Sequence, residues 1–132
     1  MVRTPSDRRP SIDPRRIVVV GPCASGKTAL TRALTEAGYD ARVCGQEHSC
    51  VRDLWRRMQG DVLIALDLDI ATLRARRDES WPAELLERQH ERLAGAYAAA
   101  DLVLDSGRID QRSVYVAVTR LLAQPQPPRW RP

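Results

Sequence analysis

The chain has a single lysine. Its other 20 basic side chains are arginines, and the exception, Lys27, falls inside a glycine-rich run. Where planar guanidinium groups otherwise supply the positive charge, one compact ammonium marks a position with its own chemical requirement. Phenylalanine is absent, and the three tryptophans, Trp55, Trp81 and Trp130, are too few to define an interface. Cysteine is scarce as well. Cys23, Cys44 and Cys50 are odd in number and lack the spacing of a two-pair zinc knuckle. Cys44, Cys50 and His48 offer ligand chemistry, but they straddle an expected strand end and helix start with no fourth donor. Thiols serving as small hydrophobes account for them better. No apolar run approaches the roughly 20 residues of a membrane-spanning helix. The polar N-terminus, with Pro5 and Pro10, lacks the apolar stretch of a secretory leader. A cytoplasmic protein with no membrane partner is therefore expected.

What remains is 132 residues, 43% hydrophobic and 29% charged, about one globular domain able to bury a core without staples. The net charge of +4 sits at the ends: residues 1–16 contribute +3 and Arg129 with Arg131 another +2, leaving the middle near −1. A nucleic-acid binder concentrates its positive charge on a folded face or ordered arm, so this distribution argues against that partner. Residues 1–16 read as a flexible basic arm and 125–132 as a proline-rich tail. Between them lies one domain, 17–124. Exposed arms are compatible with a homodimer.

Within that domain the hydrophobic period switches repeatedly. Ile17–Val20 is a continuous β-branched run, suited to a strand covered on both faces. Leu30, Ala33, Leu34 and Ala37 mark a helix from Lys27, with Gly38 as its stop. Asp40–Cys44 forms a second strand. Ser49 is placed to cap a helix that turns Val51, Leu54, Trp55 and Met58 inward, with Gly60 ending it. Val62–Leu66 is strand-like and ends at Asp67. A short helix runs from Ile70 to Arg77. A break follows at Asp78–Pro82, then a long helix from Pro82 to about Ala100. Leu102–Leu104 is the last strand, and Asp110 caps a final helix whose inward residues include Val114, Val118 and Leu122. Alternating strands and helices predict an α/β fold. It has three layers: a small parallel sheet of about four strands with helices on both faces.

Gly21, Gly26, Lys27 and Thr28 meet the pattern G-x-x-x-x-G-K-[ST], directly after a hydrophobic strand and directly before a helix. That context carries a definite chemistry. Gly21, Pro22, Cys23, Ala24, Ser25 and Gly26 can curl so that successive backbone N–H groups face phosphate oxygens. The helix N-terminus adds free donors and a favourable dipole. Lys27 would reach the β- and γ-phosphates, and the Thr28 hydroxyl would bind Mg2+.

From these residues the chain resembles the small P-loop kinases, the group of shikimate, adenylate and dephospho-coenzyme A kinases, and so resembles a P-loop NTPase-like fold. Two further stretches are similar to that family. Leu66 to Arg77 looks like its strand ending in Leu-Asp, a short helix and then the lid arginines. Arg92 to Asp105 looks like its late helix leading into a strand that opens with Ala-Asp. The resemblance implies ATP or another nucleoside triphosphate and Mg2+ as cofactors, with phosphoryl transfer to an unidentified small-molecule acceptor. It implies that Arg77, with Arg76 or Arg74 as alternatives, approaches the transferring group from the lid. It also implies that Ser106 to Arg108 lies near the base. The chain departs from the family by about one strand, between Cys44 and Val62, and by a minimal lid. A nucleotide-binding or slowly hydrolysing regulatory protein is therefore the alternative.

The missing strand leaves the metal-shell acid to be found. Asp67 ends a hydrophobic strand and is the candidate, while Asp69 is better placed as a helix cap. If a strand is missing, the Val62 strand lies beside the strand that feeds the glycine-rich loop. Gly45 to Ser49 follows the second strand and points to the same edge. There Glu47 and His48, with Arg52 nearby, are candidates to orient or deprotonate an acceptor hydroxyl. Arg88 and Arg92 lie one turn apart on the long helix, where glutamates can screen them, and His90 is expected at the surface or boundary.

Overall fold

The computed structural model describes residues 12–125. The distal parts of the expected arm and tail, residues 1–11 and 126–132 with Trp130, lie outside the described residues. Four parallel strands form one sheet in the order β2-β1-β3-β4, where β1 is Arg16–Val20, β2 Asp40–Val43, β3 Val62–Asp67 and β4 Leu102–Asp105. The helices are α1 (Lys27–Glu36), α2 (Ile70–Arg76), α3 (Ala83–Ala99) and α4 (Gln111–Leu122). The α/β architecture and its parallel sheet are as the periodicity predicts.

The continuous apolar runs of β1 and β3 are explained by burial on both faces. Ile17, Val19, Ile64 and Leu66 face α1 and α4, packing on Leu30, Leu34, Val114 and Val118. Val18, Val20, Leu63 and Ala65 face the other way, onto Trp55 and onto Leu93 and Ala96 of α3. A third, smaller cluster of Leu68, Leu73 and Leu86 fixes α2 against α3. The caps expected at α2 and α4 are formed: Asp69 accepts from Thr72 N at 2.8 Å and Asp110 from Ser113 N at 2.7 Å.

Two expectations are corrected. The first is the start of the domain. Ile12 N donates to Gly38 O, Arg15 pairs with Asp13 and donates to Leu122 O, and Arg16 is already in β1. Arg16 also donates to Met58 O at 2.8 Å. Residues 12–16 thus belong to the domain, because their charged groups find partners on it.

The second correction concerns the helix expected after Ser49. A 3₁₀ turn, Leu54–Met58, stands in its place, and a shorter one, Gln46–His48, precedes Ser49. Ser49 Oγ accepts from Val51 N, closing a local turn instead of capping a helix. The buried Gln46 amide takes two backbone groups that a helix would use, accepting from Trp55 N and donating to Val51 O. Asp53 and Gln59 adopt left-handed φ of 51° and 54°, which bound the Leu54–Met58 turn. Trp55 still reaches the core, but Val51 is half exposed.

Candidate functional site

The chain passes from β1 to β2 on one side and returns to β3 on the other side of β1. The strand order therefore reverses between β1 and β3, and the crevice beyond their carboxyl ends is where open parallel sheets bind ligands. The glycine-rich loop leaves β1 there, and Asp67 ends β3 beside it, two residues beyond Ala65, which pairs with Val20.

Gly21 turns the chain out of β1 where no side chain fits. A Cβ would lie 2.5 Å from Ser25 Oγ and 2.9 Å from Leu66 O. Ala24 and Gly26 take left-handed φ of 65° and 96°, so the loop curls on itself. Ser25 N donates to Pro22 O at 3.2 Å. Ser25 is buried, and its hydroxyl has no hydrogen-bond partner among the described residues. α1 opens directly from Gly26 with neither a side-chain cap nor an acid in its first turn, so its leading N–H groups are uncapped; Thr28 is exposed beside them.

Lys27 folds back across this loop. Its Nζ donates to Gly21 O at 2.8 Å and Pro22 O at 2.9 Å and lies 2.7 Å from Glu47 Oε2. Glu47 is 3% exposed, and its second oxygen, Oε1, has no partner among the described residues. His48 follows it, exposed, with Nε2 3.7 Å from Glu47 Oε2 and 3.5 Å from Cys23 Sγ. Of the two expected acceptor-side residues, Glu47 thus touches Lys27 and His48 touches Cys23. Of the thiols weighed for a metal with His48, Cys44 is buried and Cys50 exposed. Cys23, from the glycine-rich loop, is the one that meets His48 and Glu47.

α3 covers this crevice with polar groups. Gln89 accepts from Cys23 N at 3.0 Å and donates to Cys23 Sγ at 3.2 Å. His90 Nε2 lies 2.8 Å from Asp67 Oδ1, which also accepts from Leu68 N. Arg92 donates to Glu47 O, and Tyr97 donates to Leu66 O at 2.9 Å. Burial, and then the neighbouring Asp67 charge, push the Tyr97 phenol well above its ordinary pKa. Gln89 went unread in the sequence, though a signal was present. It is the polar member of the buried stripe Leu86, Gln89, Leu93 and Ala96. His90, expected at the surface or boundary, is the partner of Asp67.

The arginines separate. Arg76 donates to Ala24 O at 2.8 Å and to Ser106 O at 2.6 Å, bridging the glycine-rich loop to the loop after β4. Arg74 holds Trp81 O, and Arg77 is the exposed C-cap of α2. Arg76, one of the two alternatives, is thus the guanidinium that touches the loop. A cavity of about 660 Å³ opens on the α1–α4 side of the loop, lined by Ser25, Gly26, Arg76, Ser106, Arg112 and Tyr115 among others. Ser106, expected near the base, borders this cavity. Arg108 pairs with Asp105 and is not among the lining residues. Arg88 is exposed, and among the described residues no helix is long and apolar enough to cross a membrane.

No family model, curated protein or solved structure matches this chain.

Proposed function

We propose that the protein binds a Mg2+–nucleoside triphosphate at the glycine-rich loop and transfers its γ-phosphoryl group to a small acceptor, as a reduced relative of the small P-loop kinases. The observation that carries this reading is the curled loop with its lone ammonium at the sheet's switch point. The loop's chemistry fits the phosphates. Its backbone curls at Ala24 and Gly26, the uncapped start of α1 offers N–H donors, and the Ser25 hydroxyl is a buried donor without a partner among the described residues. Such a nucleotide supplies the phosphoryl group, and its metal ion supplies charge neutralisation.

Each residue then has a task. Lys27 exchanges the Gly21 and Pro22 carbonyls for phosphate oxygens. Thr28 presents its hydroxyl to the metal ion, and Asp67 at the end of β3 supports that ion's water shell. Arg76, already on the loop, neutralises charge on the moving group, a role that Arg77 would need a rearrangement to fill. The cavity beside Ser106 and Arg112 suits the nucleoside. When Lys27 moves away, Glu47 is free to accept the acceptor's proton, with His48 beside it. A second reading, a nucleotide-binding regulatory protein, is favoured by one observation: Glu47 is committed to Lys27 until that exchange happens.

The test is a calorimetric titration of the full chain with Mg2+ and a non-hydrolysable ATP analogue. Binding is expected, weakened at least about tenfold in Lys27→Ala, since contacts of a charged group to phosphate are lost. Thr28→Ala is expected to remove its Mg2+ dependence. A parent protein that binds no triphosphate would overturn the proposal. Where binding holds, a panel of hydroxylated, carboxylated and phosphorylated acceptors separates transfer from slow hydrolysis.

A further inference from the structure

Cys23, Glu47 and His48 come from two separate segments, the glycine-rich loop and the turn after β2, yet their ligand atoms all lie within 4.8 Å of one another. Sulfur, imidazole nitrogen and carboxylate oxygen form a mixed donor set suited to a thiophilic divalent cation. Cys23 Sγ lies 3.5 Å from His48 Nε2, and His48 Nε2 lies 3.7 Å from Glu47 Oε2. A tetrahedral Zn2+ site, with bonds of about 2.3 Å to sulfur and about 2.0–2.1 Å to nitrogen and oxygen, has S···N edges of about 3.6 Å and N···O edges of about 3.4 Å. Two of the three edges are thus close to those of a shared ion, and the third, from Cys23 Sγ to the Glu47 carboxylate, lies within 4.8 Å.

Two further observations point to a ligand. Glu47 is 3% exposed, and its Oε1 has no partner among the described residues, while Oε2 is held by Lys27. A buried carboxylate oxygen left bare costs free energy unless something binds it. Gln89, itself buried, fixes Cys23 by both its backbone and its sulfur. A donor aimed at sulfur stabilises a thiolate and orients it, as outer-shell groups do at metal sites.

We propose that Cys23, Glu47 and His48 form a site for a thiophilic divalent cation such as Zn2+, with the fourth position open to water or to a donor atom of a ligand. Cys23 loses its proton on binding, and Glu47 contributes its carboxylate, whose Oε2 has the spacing to His48 given above and whose Oε1 is unpartnered among the described residues. The ion would clamp the glycine-rich loop to the turn after β2. The site belongs to the nucleotide-free state, in which Lys27 holds Glu47, and its test does not depend on the nucleotide reading.

The test uses tag-free, reduced full chain titrated with Co2+, followed by absorption, with Zn2+ then added as competitor. A thiolate-to-cobalt charge-transfer band saturating at one equivalent and displaced by Zn2+ is expected. Cys23→Ser is expected to lose the band, and Cys50→Ser to keep it. His48→Gln, at an exposed position, is expected to keep the parent's circular dichroism and to weaken Co2+ at least about tenfold. No band in the parent protein overturns the proposal. So does a band that survives Cys23→Ser or disappears in Cys50→Ser, or an unchanged affinity in His48→Gln. If Cys23→Ser does not fold, the His48→Gln affinity decides.

Discussion

The Lys27 ammonium lies 2.7 Å from the Glu47 carboxylate, with the two side chains only 11% and 4% exposed. The pair joins the first turn of α1 to the turn after β2, across the carboxyl end of β1. Removing one partner leaves the other charge buried, which typically costs about 3–5 kcal/mol. Lys27→Met and Glu47→Gln should each lose about 3 kcal/mol in denaturant unfolding. The double variant should lose clearly less than the two losses combined. Strict additivity would mean that the pair is not coupled.

Arg76 and Arg77 are neighbours in sequence with opposite consequences. Arg76 spans Ala24 and Ser106, whereas Arg77 is exposed at the end of α2. Arg76→Met should destabilise the fold by about 1 kcal/mol through its lost carbonyl contacts. It should also slow triphosphate turnover at least about tenfold if that guanidinium meets the moving phosphoryl group. Arg77→Met should remain near the parent in both. Melting curves and a phosphate-release assay on the two variants check this, and equal effects would remove Arg76 from its assigned role.

Three glycines near the site should respond differently to alanine. At Gly21 a Cβ meets Ser25 Oγ at 2.5 Å and the Leu66 carbonyl at 2.9 Å, so loop and strand must shift. A loss of about 1–3 kcal/mol is expected, as for overpacking. Gly26 has open space but a φ of +96°, and Gly26→Ala should cost about 1–2 kcal/mol in backbone strain. Gly45 has open space and a φ of −81°, so Gly45→Ala should be nearly neutral. Thermal unfolding of the three variants gives the order directly.

The pH response has two named contributors. The Ser113 N–H, then its hydroxyl, hold Asp110 below its ordinary 3.8. A lowered folded-state pKa stabilises fully above the unfolded value and is lost as pH falls through the folded one. Asp110→Ala should therefore be less stable than the parent at neutral pH, with the gap closing below about pH 4. Tyr97 shifts upward, chiefly through burial, so it stays neutral in the fold while the unfolded chain ionises near 10.0. Stability should fall as pH rises past that value, and less steeply in Tyr97→Phe. At neutral pH that variant should lose about 1 kcal/mol with the bond to Leu66 O. Chemical denaturation across acid and alkaline series measures both.

Most of the sheet was legible because burial on both faces writes itself into β1 and β3 as unbroken apolar runs. Helix caps at Asp69 and Asp110 were legible because capping acts over three residues. The segment after Ser49 was not. Its apolar spacing is helical, but Gln46, a few residues upstream, takes its backbone groups, and no periodicity records that competition. The site divides in the same way. The loop from Gly21 to Thr28 could be read as a unit, whereas the choice of Arg76 over Arg77 depended on which guanidinium reaches Ala24.

By itself, the sequence determined the order of the four strands and of α1 to α4, the curled loop and the position of the one lysine, because each rests on interactions between residues close in the chain. Only the tertiary structure decided that β3 lies beside β1 and that Glu47 holds Lys27. The same holds for Gln89 on Cys23 and His90 on Asp67. Those contacts join residues that are distant in the chain, brought together by the sheet's strand order and by the packing of α3 over it.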